Sequence, residues 1–185
     1  LLLLVLLIGG PLAYSWHRQQ QFRNFRIVDD GRLYRSGQMS ISALKRTIEE
    51  YDIRTVINFE STKRERPLDA EEEKFCLAHD IRYIRIRPRE WWADANGVVP
   101  AQQPVDQFLK TMDDPNSYPV LIHCFAGMHR TGSYCAIYRM EYQGWTNAEA
   151  LQELKQLGYE NLDNEKDVLG YLESYVPRSK RASRR

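Results

Sequence analysis

Residues Leu121–Gly132 read LIHCFAGMHRTG. The stretch that leads into them, YPVLIHC (118–124), is short, apolar and β-branched, the pattern of a buried strand. The stretch that follows, TGSYCAIYRMEYQ (131–143), carries apolar residues at helical spacing and stops at Gly144. Strand, tight loop and helix therefore follow one another directly. A helix N-terminus presents unpaired N–H groups and the positive end of its dipole, so it attracts anions. The connecting loop is too short to form structure of its own, and its amides are expected to turn inward as a nest. Cys124 falls at the bottom of that nest and Arg130 at its rim.

Those residue types suit one chemistry. A thiolate is nucleophilic where a thiol is sluggish, and inward amides, a helix dipole and a nearby cation all favour the thiolate. The same groups bind a tetrahedral dianion, and the planar fork of Arg130 matches two phosphate oxygens as a lysine would not. Phosphoryl transfer needs mainly in-line placement and neutralised equatorial oxygens. Gly127 lets the backbone bend toward the ligand. Thr131 is expected to donate its hydroxyl hydrogen to the cysteine sulfur and ease its departure, and His123 to bond the loop backbone and shape the nest. A zinc site built from His123, Cys124 and His129 fails on geometry, because adjacent strand residues point to opposite faces.

Outward from the loop, short apolar runs alternate with helical patterns. GRLYRSG (31–37), RTVINFE (54–60) and IRYIRI (81–86) read as strands, and SISALKRTIEEY (40–51), capped by Ser40 or Ser42, and DAEEEKFCLAHD (69–80) as helices. An irregular stretch covers 88–103, and Pro104 opens a further helix. After Gly144, Thr146 and Glu149 form a capping box for a helix that Gly158 ends, and a last helix covers about 165–175. The pattern predicts an α/β fold with a central, largely parallel sheet of about four to five strands flanked by helices. Ligands of such sheets bind beyond the carboxyl ends of strands, where Cys124 emerges. Arg35 and Ser36, at another strand end, either border the pocket or serve a turn.

The run His123 to Gly132, His-Cys-x5-Arg-Thr-Gly, resembles the signature of the cysteine-dependent protein tyrosine phosphatases, in particular the dual-specificity branch. GRLYRSGQMS (31–40), TVINF (55–59) and PVLIHCFAGMHRTG (119–132) are similar to the atypical dual-specificity phosphatases of plants and fungi and their bacterial relatives. The resemblance implies a phosphatase-type three-layer fold, a phosphocysteine intermediate on Cys124, and phosphate held by Arg130 and the amides of Phe125, Ala126, Gly127, Met128 and His129. It implies no metal and no cofactor. It also implies a general acid on a mobile loop upstream of the cysteine. Asp94, thirty positions before Cys124, is the expected residue, with Glu90 and Asp106 as rivals and Trp91 and Trp92 to pack the loop down.

In one respect this loop departs from the relatives that act on inositol pyrophosphates, which carry basic residues inside it. Here Phe125, Ala126 and Met128 occupy those positions and His129 alone has a basic character. Each absent cation removes about 1.5–3 kcal/mol of charged hydrogen bonding to a polyanion. The expected substrate is a phosphorylated protein, read at phosphotyrosine, or a small phosphoester. The alternatives are an inositol polyphosphate or pyrophosphate phosphatase of the same fold, and a non-catalytic phosphate-binding module. A sulfur-transfer or arsenate-reducing enzyme is disfavoured by the Cys-x5-Arg spacing followed by Thr131.

Composition bounds the rest. The 185 residues suit one domain with tails, and 26 Lys+Arg against 25 Asp+Glu give a net charge of +1, which calls for no nucleic-acid partner. The three cysteines are too few and too irregularly spaced for a disulfide scaffold, and Cys76 and Cys135 are expected in the core. LLLLVLLIGGPLAY is almost purely apolar; residues 1–16 are expected to be part of a single-pass membrane anchor or, alternatively, a signal segment cleaved to leave a secreted or periplasmic protein. Residues 17–24 then form a basic juxtamembrane linker, 25–176 the phosphatase domain, and 177–185 a basic, disordered tail.

Overall fold

A computed structural model describes residues 22–61 and 67–182. Five strands form one sheet in the order β1-β2-β5-β3-β4: β1 Arg26–Asp29, β2 Leu33–Gly37, β3 Thr55–Asn58, β4 Arg82–Arg85 and β5 Val120–Cys124. All neighbours are parallel except β1 and β2, which form an antiparallel hairpin. The helices are α1 Ile41–Tyr51, α2 Pro67–Ala78, α3 Gln102–Asp113, α4 His129–Tyr142, α5 Asn147–Gln156, α6 Lys166–Ser174 and α7 Arg178–Ala182. The three-layer α/β architecture expected from the sequence is thus present. Strand β1 was not among the expected elements: it is a four-residue edge strand whose Arg26 and Ile27 are exposed, so its sequence lacks a buried run.

Strand parity sorts the core into two layers. On β5, Val120, Ile122 and Cys124 enter a cluster with Phe108 and Leu109 of α3, Tyr134 and Ile137 of α4, Leu154 of α5 and Leu172 of α6. Leu121 enters the opposite cluster with Ala43 and Leu44 of α1 and Cys76 of α2. Strand β5 is buried at all five positions and sits in the middle of the sheet. Its parallel partners Gly37 and Asn58 end level with Cys124 and His123, so three strands deliver their carboxyl ends to one place. Cys76 and Cys135 lie in the core as expected; burial, reinforced by Glu72 and Glu73, pushes the Cys76 thiol up to about 12, and burial raises that of Cys135.

The helix caps follow the sequence. Ser40 Oγ accepts the Ala43 amide at 3.3 Å to open α1, and Thr146 with Glu149 forms the capping box of α5. The two ends of the chain require correction. Residues 22–24 are no free linker: Phe22 and Phe25 pack on the α1 side of the sheet, and the Arg23 carbonyl accepts the Gly37 amide at 2.6 Å. The tail is ordered through Ala182 as α7, because Arg178 reaches both Asp113 of α3 at 2.7 Å and Glu141 of α4 at 2.5 Å. The expected anchor at 1–16 lies outside the described residues. Among the described residues, no helix is long and apolar enough to cross a membrane.

Candidate active site

The side chains of Cys124 and His123 leave the end of β5 on opposite faces. Cys124, 4 % exposed, faces α4. His123 faces α2, where its Nε2 lies 2.7 Å from Oε1 of Glu72, both groups being buried. Burial lowers the imidazole pKa, but Glu72, together with Glu60 and the Cys124 backbone, outweighs it and the net shift is upward. The ring pairs with Glu72 beneath the loop and also interacts with the Cys124 backbone, at the start of the loop. Thr131 is fully buried at the start of α4, and its hydroxyl finds no hydrogen-bond partner among the described residues, the Cys124 sulfur included.

The loop itself is shaped by what it rests on. Gly127 has φ +74°, and a Cβ there would lie 2.3 Å from the Gly37 nitrogen and 2.4 Å from the Ser36 carbonyl carbon. Gly37 reciprocates, with a Cβ position 2.9 Å from the Ala126 backbone. Two backbones therefore touch where only glycine fits on both sides. The Gln38 amide donates to the Phe125 carbonyl at 3.1 Å, and Asn24 Nδ2 to the Ala126 carbonyl at 2.9 Å. Arg35, 2 % exposed on β2, donates from Nη2 to the Gly127 carbonyl at 2.5 Å. The loop carbonyls are thus bonded outward. Met128 caps α4, which begins at His129, earlier than its apolar pattern indicates.

Arg130, in the first turn of α4, donates from Nη1 to the Phe59 carbonyl at 2.7 Å and lies 3.8 Å from Oε2 of Glu60. Asn58 organises that corner: its Oδ1 accepts the Glu60 amide and its Nδ2 donates to the Tyr83 hydroxyl at 2.8 Å. Phe59 is fixed by stacking on Tyr134, with ring centroids 3.9 Å apart and planes within 5°. The end of β3 therefore aims the guanidinium, leaving it partly exposed beside a buried cysteine. Phosphoryl transfer requires a nucleophile, anion-binding amides and an oriented guanidinium, and this corner sets a buried cysteine and an aimed arginine at the two ends of one loop.

The profile of the tyrosine phosphatase family matches residues 21–182. The chain belongs to that family. Among its relatives is the tyrosine-protein phosphatase-like protein OCA2 of Saccharomyces cerevisiae, 31% identical over 130 residues, which cover 69% of this chain and 60% of OCA2. Inositol diphosphatase DSP3 of Arabidopsis thaliana is 31% identical over 136 residues, 72% of this chain and 61% of that one. The chain therefore spans less than two thirds of the length of either relative. The crystal structure of TpbA from Pseudomonas aeruginosa shares the fold with a TM-score of 0.65 at 21% identity, covering 90% of this chain and 98% of that one.

The general acid is expected in the irregular stretch that runs from Pro88 to Ala101, between β4 and α3. Trp91 anchors it through ring contacts with Tyr134 of α4 at 6.3 Å and Tyr171 of α6 at 4.9 Å. The far end is tied by the Ala101 amide to the Glu90 carbonyl at 2.9 Å. Asp94 is exposed at the tip, and its Oδ1 accepts the amides of Asn96 at 2.8 Å and Val98 at 3.0 Å. Of the rivals, Glu90 is exposed earlier in the loop, and Asp106, on α3, accepts a hydrogen bond from Gln102 at 2.7 Å. Trp92 does not pack the loop down; it is 62% exposed.

His129, the basic member of the loop, stacks on Tyr159 with centroids 4.3 Å apart. Glu60, Glu72, Arg35 and Asn24 were not singled out as site residues by sequence reasoning, although Arg35 was noted as a border residue. Each is a common polar residue whose partner lies far away in the chain. For Glu60 a signal existed: a lone acid directly after the apolar strand TVINF, at a strand's carboxyl end, is a position that faces ligand in a parallel sheet.

Proposed function

We propose that the protein is a phosphomonoester hydrolase that works through a phosphocysteine, and that its preferred substrate is phosphotyrosine. The observation that carries this reading is the placement of Cys124 and Arg130 around a loop whose carbonyls are bonded outward. The Cys124 thiolate attacks phosphorus in line, forming the S–P bond as the ester P–O bond breaks. Arg130 and the loop amides neutralise the equatorial oxygens. Asp94 gives its proton to the leaving oxygen; because its Oδ1 is bonded to two loop amides, the proton is carried on Oδ2. A water then loses its proton to Asp94 and attacks phosphorus, which releases phosphate and the thiolate.

Three observations support phosphotyrosine over a polyanion. The loop contributes no lysine or arginine besides Arg130. Two of the upstream arginines are engaged elsewhere, Arg82 with Asp114 at 3.0 Å and Arg85 with Glu73 at 3.4 Å. Phe125, directly after Cys124, is exposed and uncharged, which suits an aromatic ester. A cysteine-to-serine form of TpbA has been crystallised in complex with pTyr, whereas DSP3 bears the name inositol diphosphatase, so the relatives point to both substrate classes. In this reading residues 1–16 serve as a membrane anchor. The test is hydrolysis of para-nitrophenyl phosphate by wild type and Cys124→Ser, followed by kcat/KM for a phosphotyrosine peptide against an inositol polyphosphate at fixed salt. Turnover abolished in the mutant and a peptide preference are expected. Equal rates in both proteins would exclude the cysteine mechanism, and a tenfold preference for the inositol compound would reverse the substrate assignment.

A further inference from the structure

We propose that Arg23 is a specificity-determining residue that reads an anionic group next to the scissile phosphate, which in a protein substrate is an acidic residue flanking the phosphotyrosine. The inference rests on the phosphatase reading above and adds to it a recognition point outside the motif. The phosphate loop is poor in cations: His129 is stacked on Tyr159, and Phe125, Ala126 and Met128 are uncharged. The cation at this side of the loop comes instead from the segment that precedes β1. The Arg23 guanidinium lies over the ring of Phe125, its Cζ 3.9 Å from the centroid, and Phe125 is the residue directly after Cys124.

Arg23 is held there by more than the ring. Its carbonyl accepts the Gly37 amide at 2.6 Å, and the next residue, Asn24, bonds the Ala126 carbonyl at 2.9 Å. Both residues adopt left-handed backbone, φ 24° and 57°, a conformation that non-glycine residues sustain only where surrounding contacts impose it. Stacking occupies a face of the guanidinium and leaves its N–H edge for a ligand. Among the described residues, no carboxylate forms an ion pair with Arg23. A half-buried arginine, stacked on the residue that follows Cys124 and, among the described residues, without a carboxylate partner, is a preformed receptor for a carboxylate.

Two phosphotyrosine peptides that differ only in having Glu or Lys on both sides of the phosphotyrosine, assayed by kcat/KM at low salt, test the proposal. Wild type is expected to favour the Glu peptide by about fivefold or more, the size of one well-placed rim charge pair. Arg23→Glu is expected to reverse that order, and Arg23→Lys, which keeps the charge, to retain it. Raising the salt should shrink the ratio. A wild-type ratio near one, or a ratio unchanged in Arg23→Glu, would overturn the role of Arg23 while leaving the phosphatase reading intact. Failure to hydrolyse any phosphoester would instead remove the phosphatase reading and this inference together. A loss in Arg23→Glu confined to an inositol polyphosphate, with the peptide ratio unchanged, would overturn the assignment to a protein substrate.

Discussion

The phosphate loop and the Pro88–Ala101 loop, where the general acid is proposed, are built by opposite means. The phosphate loop is held from every side by distant parts of the chain: Arg35 and Gln38 from β2 and its exit, Asn24 from the N-terminal segment, and the close contact of Gly127 with Gly37. The second loop is tied at Trp91 and Ala101 and otherwise organised by its own Asp94 turn, with Trp92 and Val98 exposed. The difference follows from the work of each. Donors that stabilise developing charge must be in place before the reaction, since reorienting them would cost what they contribute. A loop fastened at its ends and exposed at its tip suits the proposed general acid, which has to admit a bulky ester before delivering its proton.

Substitutions in the two regions should therefore fail differently. The largest effect is expected in the phosphate loop region: Arg130→Lys keeps the charge but loses the fork that Phe59 and Glu60 aim, and should lower kcat by about 10²–10³. Rates near wild type would reduce Arg130 to a structural residue. Asp94→Asn should lower kcat by about 10² on alkyl phosphates and far less on para-nitrophenyl phosphate, whose leaving group hardly needs a proton. A uniform loss, or none, would transfer the role to Glu90 or Asp106.

Beneath the phosphate loop, Glu72→Gln should cost about 1–3 kcal/mol of stability by removing a charged partner from buried His123. The sign of its pH dependence follows from the raised imidazole pKa. The ion-pair contribution is complete below the ordinary histidine value of about 6.5 and is lost as pH rises through the raised folded-state value. The stability gap between wild type and Glu72→Gln, measured by denaturant titration, should accordingly be wider near about pH 6 than near about pH 9. A gap that widens with pH would contradict the pairing. The smallest effect belongs to the tip of the second loop: Trp92→Ala should change stability by less than about 0.5 kcal/mol, because the ring is mostly in water. A loss as large as that from Glu72→Gln would show that the tip is as firmly packed as the phosphate loop.

Much of this molecule was legible in its sequence where the determinant is local. Strand, loop and helix around Cys124 are contiguous, and the periodicity of each piece is set by its own backbone geometry. The alternation of strands and helices likewise implied the parallel sheet, and with it the end at which Cys124 emerges. Edge strand β1 escaped because, exposed at Arg26 and Ile27, it has no buried run to betray it. The start of α4 escaped because His129 and Arg130 carry no apolar pattern, although their backbone is helical.

What the sequence by itself determined is the chemistry of the centre: a cysteine and an arginine held by one loop, at a spacing that one turn of backbone translates into geometry. Only the tertiary structure decided what orients them. Arg130 is aimed by Phe59 across 71 residues, His123 is paired with Glu72 across 51, and the loop is braced by Arg35 across 92 and by Asn24 across 102. In the linear chain these are ordinary charged and polar residues, indistinguishable from those that face water. Their roles arise when sheet order brings the ends of β2, β3 and β5 together, because an interaction between side chains depends on distance in space and leaves no periodic mark on the chain.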